Sequence, residues 1–200
     1  MTKPRSSART PVPLVVGFVL FLLVLAYIVV GSLRPRHVVE FDPSPLVSRA
    51  HRGQGLVRDT VTIDARDGEA WRFFDFAAGS RLDPPDTAGW DLAFRRFRVI
   101  ASTGVADLGA VPFYGVHEAP ADSYVLTTWA SDTVNPALDR WYRYDFFSHL
   151  LQSKSHVYVV RTADGRYAKL RFLSYYCPGT VAGCVTFEYV YQGSDSRALR

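Results

Sequence analysis

The stretch from Leu14 to Leu33, LVVGFVLFLLVLAYIVVGSL, is twenty residues long and carries no charge. As an α-helix rising about 1.5 Å per residue it measures roughly 30 Å, the thickness of a bilayer's hydrocarbon core. A helix packed on the surface of a soluble protein would keep one polar stripe for water, and this run has none. The rival reading is a cleavable signal peptide. That would have an apolar core of only about 7–15 residues followed by a small-x-small cleavage site. Here the run is longer and ends in Gly31-Ser32-Leu33-Arg34-Pro35, a poor site. Residues 14–33 therefore read as a permanent single-pass transmembrane helix, and residues 1–13 as a short cytoplasmic N-terminus.

Charge sets the direction. Lys3, Arg5 and Arg9 precede the helix and Arg34 and Arg36 follow it, with no acidic residue among the first 36. The bias favours the N-terminus inside and the C-terminal domain outside, periplasmic in a bacterial inner membrane. From His37 onward 18 basic residues face 19 acidic ones. The formal charge of +4 thus belongs to the anchor. The body lacks the basic field that nucleic-acid binding needs, and nucleic acid is excluded as a partner. With 48% apolar and 14% aromatic residues the body can build a core.

Residues 34–56 carry Pro35, Pro43, Pro45, Gly53 and Gly55 without a sustained period, and read as a stiff linker. Arg49, His51, Arg52 and Arg58 make it locally basic. From residue 57 to 192 the period is two. Val57, Val61 and Ile63 share a phase, as do Trp90, Leu92 and Phe94. The phase slips at Arg95-Arg96, which suggests a β-bulge within one long strand. Tyr124–Trp129 reads as another strand. Asp164-Gly165, between His156–Thr162 and Tyr167–Tyr176, is a hairpin signal. Trp141–Leu151 is the one soluble stretch where a helical turn fits, and residues 193–200 read as a flexible tail.

Cys177 and Cys184 flank Pro178–Gly183, a turn-rich loop between two strand-like runs. A disulfide is the favoured reading, with two buried free thiols as the alternative. Zinc would want about four ligands, and no second Cys or His pair lies nearby. A disulfide requires an oxidising compartment, the side the flanking charges select.

No catalytic signature is present: no Gly-x-Ser-x-Gly elbow, His-Glu-x-x-His, P-loop or dinucleotide fingerprint. The chain reads as a non-enzyme. His117, His149 and His156 are the imidazoles of the β-rich body, and pairs of them could converge on a metal or haem iron. Lone histidines also serve as ordinary hydrogen-bonded groups. Arg95, Arg96 and Arg98 are the candidate contact patch for a protein partner; a solvated strand face is the alternative.

Trp90-Asp91-Leu92-Ala93-Phe94 resembles the WDLAF strand of HmuY-like proteins. The block from Trp141-Tyr142-Arg143-Tyr144-Asp145 through VYVVRTADGRYAKLRFLSYY to VTFEYVYQ is similar to that family's C-terminal half, over roughly residues 57–192 in all. The resemblance implies an all-β, mostly antiparallel, exported and membrane-attached domain. In its best-known members such a domain captures haem through two axial side chains without catalysis. The family's usual attachment is a lipidated cysteine, and here one N-terminal transmembrane helix stands in its place. Two functions follow. The leading one is a membrane-anchored module that docks on and stabilises a larger membrane complex, as an accessory subunit of a respiratory or photosynthetic assembly, with no required cofactor. Its partners are the bilayer and the complex's subunits. The alternative is haem or tetrapyrrole binding for iron acquisition, with His117, His149 and His156 as candidate ligands.

Overall fold

The computed structural model describes residues 11–33, 37–46, 55–82, 89–129 and 133–200. They form two compact units. The first holds helix α1, Val12–Leu33, and the segment Asp145–Leu150. Helix α1 starts two residues before the apolar count begins: the carbonyl of Pro11, just ahead of it, accepts the Leu14 N–H, and Pro13 sits in its first turn. There a missing N–H costs no intrahelical bond. None of its residues is buried within the chain, and it is the one described helix long and apolar enough to cross a membrane.

The second unit is the β domain. Its strands are β1 (Leu56–Asp64), β2 (Arg72–Asp75), β3 (Ser80–Arg81), β4 (Leu92–Arg95), β5 (Arg98–Ala101), β6 (Val105–Asp107) and β7 (Thr128–Trp129). They continue with β8 (Thr133–Val134), β9 (Tyr142–Tyr144), β10 (Leu151–Ser153), β11 (Tyr158–Arg161), β12 (Tyr167–Cys177) and β13 (Val181–Gln192). A five-stranded sheet has the order β1-β13-β12-β11-β6 and a four-stranded sheet the order β3-β2-β4-β5; β7-β8 and β9-β10 are two-stranded ribbons. Every ladder between named strands is antiparallel.

Aromatic rings weld the two larger sheets. Phe187 of β13 stacks on Phe94 of β4 with ring centroids 5.5 Å apart, and meets Phe74 of β2 edge-on at 5.2 Å. Phe76 adds edge contacts to Phe74 and Tyr189 and lies parallel to Tyr191. The opposite face of the five-stranded sheet is also covered. A second cluster packs Phe113, Val116 and Ala119 with Val157, Val159, Val190 and Leu199. That double cover is why β12 and β13 are buried along most of their length, where a one-sided antiparallel sheet would alternate.

Several expectations are corrected. The slip at Arg95-Arg96 is a hairpin turn between β4 and β5, with Arg95 opposite Arg98 and Arg96 at φ 54°, and not a bulge. A chain reversal and a one-residue insertion both change the phase of a period-two pattern; only strand pairing tells them apart. True register shifts occur in β12, between Phe172 and Tyr176. Trp141–Leu151 holds strand β9 and a turn leading into β10, not helix. Of Tyr124–Trp129 only Thr128 and Trp129 form a strand, with Val125 in an isolated bridge to Val105. Within the expected linker, residues 38–46 dock on the domain: the Glu40 carboxylate accepts the N–H groups of Gly179 (3.0 Å) and Thr180 (2.7 Å), and Ser44 exchanges hydrogen bonds with Thr62. The linker's Arg49, His51 and Arg52 lie outside the described residues, as does the N-terminal segment 1–10. The tail is tied down, with Leu199 fully buried and Arg197 donating to the Ala119 carbonyl.

Other expectations hold. Asp164-Gly165 forms the hairpin between β11 and β12: the Thr162 carbonyl accepts the Gly165 N–H, and Gly165 takes φ 83°, where a side chain would be strained. Cys177 and Cys184 are disulfide-bonded. The bond closes so short a loop that chain entropy assigns it only about 2–3 kcal/mol.

Candidate functional site

Asp91, the acid of the WDLAF strand, is a structural crossroads. Its buried carboxylate accepts the N–H of Phe76 (2.8 Å) and of Ala163 (2.6 Å), which joins the start of the β2–β3 turn to the β11–β12 hairpin. Burial pushes its pKa well above the ordinary range against the pull of the Ala163 N–H, and the charges of Asp75 and Asp164 add to the rise. The folded state therefore holds a proton that the unfolded chain gives up. That contribution is complete below the unfolded Asp range and is lost as pH rises through the raised folded value. Asp91→Asn leaves one of the two N–H groups unpaired, at a cost of about 1–3 kcal/mol in acid. We expect the wild-type advantage to shrink as pH rises above the ordinary Asp range, measured as the difference in melting temperature. A constant difference would contradict the assignment.

One cleft, of about 320 Å³, is lined by Arg58, Asp59, Phe113, Tyr114 and Glu188 among others. Strand registers put Arg58 and Lys169 on either side of Val190, and Thr60 and Arg171 on either side of Glu188. Its charges are spoken for. Lys169 is buried and donates to the carbonyls of Phe113 (3.1 Å) and Val116 (2.5 Å), while Arg171 pairs with Glu188. Burial lowers the Lys169 pKa, and the neighbouring Arg58 charge lowers it further. The cleft braces the 3-10 turn Phe113–Gly115 over the sheet.

The three candidate histidines occupy different settings. His117 is exposed just after that 3-10 turn, and its backbone carbonyl accepts the Leu199 N–H at 2.7 Å. His149 is exposed in the Asp145–Leu150 turn at φ 56°, with the Phe146 ring 6.3 Å away. His156 lies just before β11, partly buried, and its Nδ1 sits 3.0 and 3.1 Å from the two carboxylate oxygens of Asp107. A carboxylate can only accept, so Nδ1 carries the hydrogen. In the neutral ring Nε2 then keeps the free lone pair. Metal-ligating histidines are held in this way, the far nitrogen donating to a carboxylate that fixes tautomer and ring orientation. Among the described residues no group of three His, Cys, Asp or Glu could hold a bare metal ion.

Asp107 is the residue that sequence reasoning missed. It carries no local signal; the pairing of β6 with β11 sets Asp107 opposite Tyr158 and brings its carboxylate to His156. The expected patch of Arg95, Arg96 and Arg98 is split. The Arg95 guanidinium lies over the Trp71 ring at 4.6 Å, and Arg96 donates to the carbonyls of Arg66 and Ala182. Arg98 is exposed on β5.

In comparison with known proteins, residues 103–189 match the sequence model of the HmuY protein family. That stretch resembles the HmuY family, and the β domain shares its fold. The match contains Asp107, all three candidate histidines and both cysteines. The Tannerella forsythia apo HmuY analogue superposes with a TM-score of 0.60 at 19% identity, over 70% of this chain and 98% of that one. A putative HmuY-like heme binding protein from Bacteroides vulgatus gives 0.56 at 22% identity, over 76% and 97%. A putative lipoprotein from Bacteroides fragilis gives 0.55 at 22% identity, over 72% and 94%. No curated protein matches the chain. The N-terminal apolar helix and the HmuY-like domain together fit a membrane-anchored protein.

Proposed function

We propose that this chain is a membrane-anchored haem-binding protein whose HmuY-like domain works outside the cytoplasm. It captures its ligand and performs no catalysis. The observation that carries the reading is the His156–Asp107 pair, which lies inside the span matching the HmuY family. It presents one imidazole held through Nδ1, with Nε2 as the nitrogen that would ligate a haem iron. His117, in the same unit, is the candidate for a second ligand. Haem, if bound, would supply the iron, and His156, oriented by Asp107, would supply a nitrogen ligand to it.

The basic N-terminal flank supports an orientation with the N-terminus inside and the domain in the periplasm, and the disulfide fits an oxidising compartment. Haem titrated into the detergent-solubilised full chain should produce a saturable Soret band at one haem per chain. Absence of a saturable band would end the reading.

A second reading, docking on a larger membrane assembly, is favoured by one observation: Leu126 and Trp129 expose about two thirds of their surface at the β7 edge. It predicts a stoichiometric protein partner after mild detergent extraction, weakened by Trp129→Ser.

A further inference from the structure

The Asp145–Leu150 segment, DFFSHL, sets two phenylalanines side by side on one turn. The turn is built to be firm. The Asp145 carboxylate accepts the N–H groups of Phe147 (3.0 Å) and Ser148 (2.9 Å), and the Asp145 and Leu150 backbones close the loop at 2.8 Å. The Asp145 carbonyl also accepts the His149 N–H at 2.8 Å. Phe146 leaves 73% of its surface exposed, although it is among the most apolar side chains of the body. Phe147 turns to helix α1: its ring meets Tyr27 edge-on with centroids 5.8 Å apart. A Cβ on Gly31 would come within 3.3 Å of the same ring, so the glycine leaves room for the approach.

Tyr27 and Gly31 belong to the last two turns of α1, no more than about 10 Å along the axis from its end at Leu33. In a spanning helix that level is the boundary between acyl chains and headgroups, where aromatic side chains collect. We infer that the Asp145–Leu150 turn is a second membrane contact: Phe146 and Phe147 enter the outer boundary of the bilayer beside α1. The occupant of this exposed apolar turn is lipid. An aromatic pair held on a rigid turn loses little conformational freedom on burial, which suits a shallow, permanent contact. The inference rests on α1 spanning the bilayer, and the test separates the two.

Two variants of the full chain, Phe146→Trp and Phe21→Trp, are reconstituted into phosphatidylcholine vesicles with and without bromine near the top of the acyl chains. A third vesicle set carries bromine deep in the chains. Phe21, near the middle of α1, reports on the span. The tryptophan fluorescence added by Phe146→Trp, over the wild-type background, should shift to the blue and lose most of its intensity with shallow bromine. That added by Phe21→Trp should be quenched most by deep bromine. Quenching at position 21 without quenching at 146 overturns the inference and keeps the anchor. Quenching at neither position overturns both.

Discussion

Haem affinity should fall by at least tenfold when Asp107 is changed to asparagine, and further when His156 is changed to alanine. The Asp107 carboxylate fixes the imidazole's tautomer and leaves Nε2 as its lone-pair nitrogen, and loss of such an orienting group costs roughly 10–100-fold in metal affinity. Removing the ring removes the ligand itself. A purely structural role for the pair would give a different pattern, with both variants melting earlier while haem affinity of the folded fraction stayed constant. His156→Met separates the cases. A thioether in place of the imidazole should keep some binding while changing the ferric Soret spectrum, because the axial ligand tunes the iron. Titration of each full-length variant in detergent, beside its thermal melt, reads both quantities. Unchanged affinity and spectrum in all three variants would place the iron ligands elsewhere. His117→Ala, titrated in the same way, tests the second candidate ligand of the same unit.

Phe187→Ala should be the most damaging single truncation in the domain, at about 3–5 kcal/mol. The side chain is fully buried and touches rings from both large sheets: Phe94, Phe74, Phe76, Phe172 and Tyr189. Its neighbours are anchored on separate strands and cannot all collapse into the cavity, so both the transfer and the cavity contributions are lost. For a domain of this size the change corresponds to a drop of roughly 6–20 °C in melting temperature. Phe187→Leu, which keeps most of the volume, should cost clearly less. The α1 span should still fractionate with membranes in both variants, because the helix draws its stability from lipid and not from this core. A truncation that left the melt unchanged would mean that the two sheets are not held by these rings.

The two predictions rest on features of very different legibility. Phe187 could be read as core from the alternation of Val185, Phe187, Tyr189 and Tyr191 alone, since period two with large apolar residues leaves a strand one buried face. The Asp164-Gly165 hairpin was legible for the same local reason: a two-residue signal between β-rich runs encodes its own turn. The Arg95-Arg96 slip was ambiguous, because hairpin and bulge shift the phase alike. The tail looked frayed because Leu199 and Arg197 find their partners about eighty residues back, at His117 and Ala119. The docking of Glu40 on the turn after Cys177 is hidden in the same way, at a separation of about 140 residues. Asp107 had no signal at all, as a carboxylate in a short strand looks like any solvated acid until its partner is known.

Local pattern therefore fixed the apolar helix, the all-β character of the body, the cysteine pairing as the favoured state and the aromatic identity of the core. Each depends on side-chain period or on neighbours within a turn, quantities carried by the chain a few residues at a time. Tertiary structure alone decided which acid meets which imidazole, which arginines are spent inside the domain and which phenylalanines stay exposed. Those outcomes depend on strand order and register, and contacts across a sheet join residues whose separation along the chain bears no relation to their distance in space.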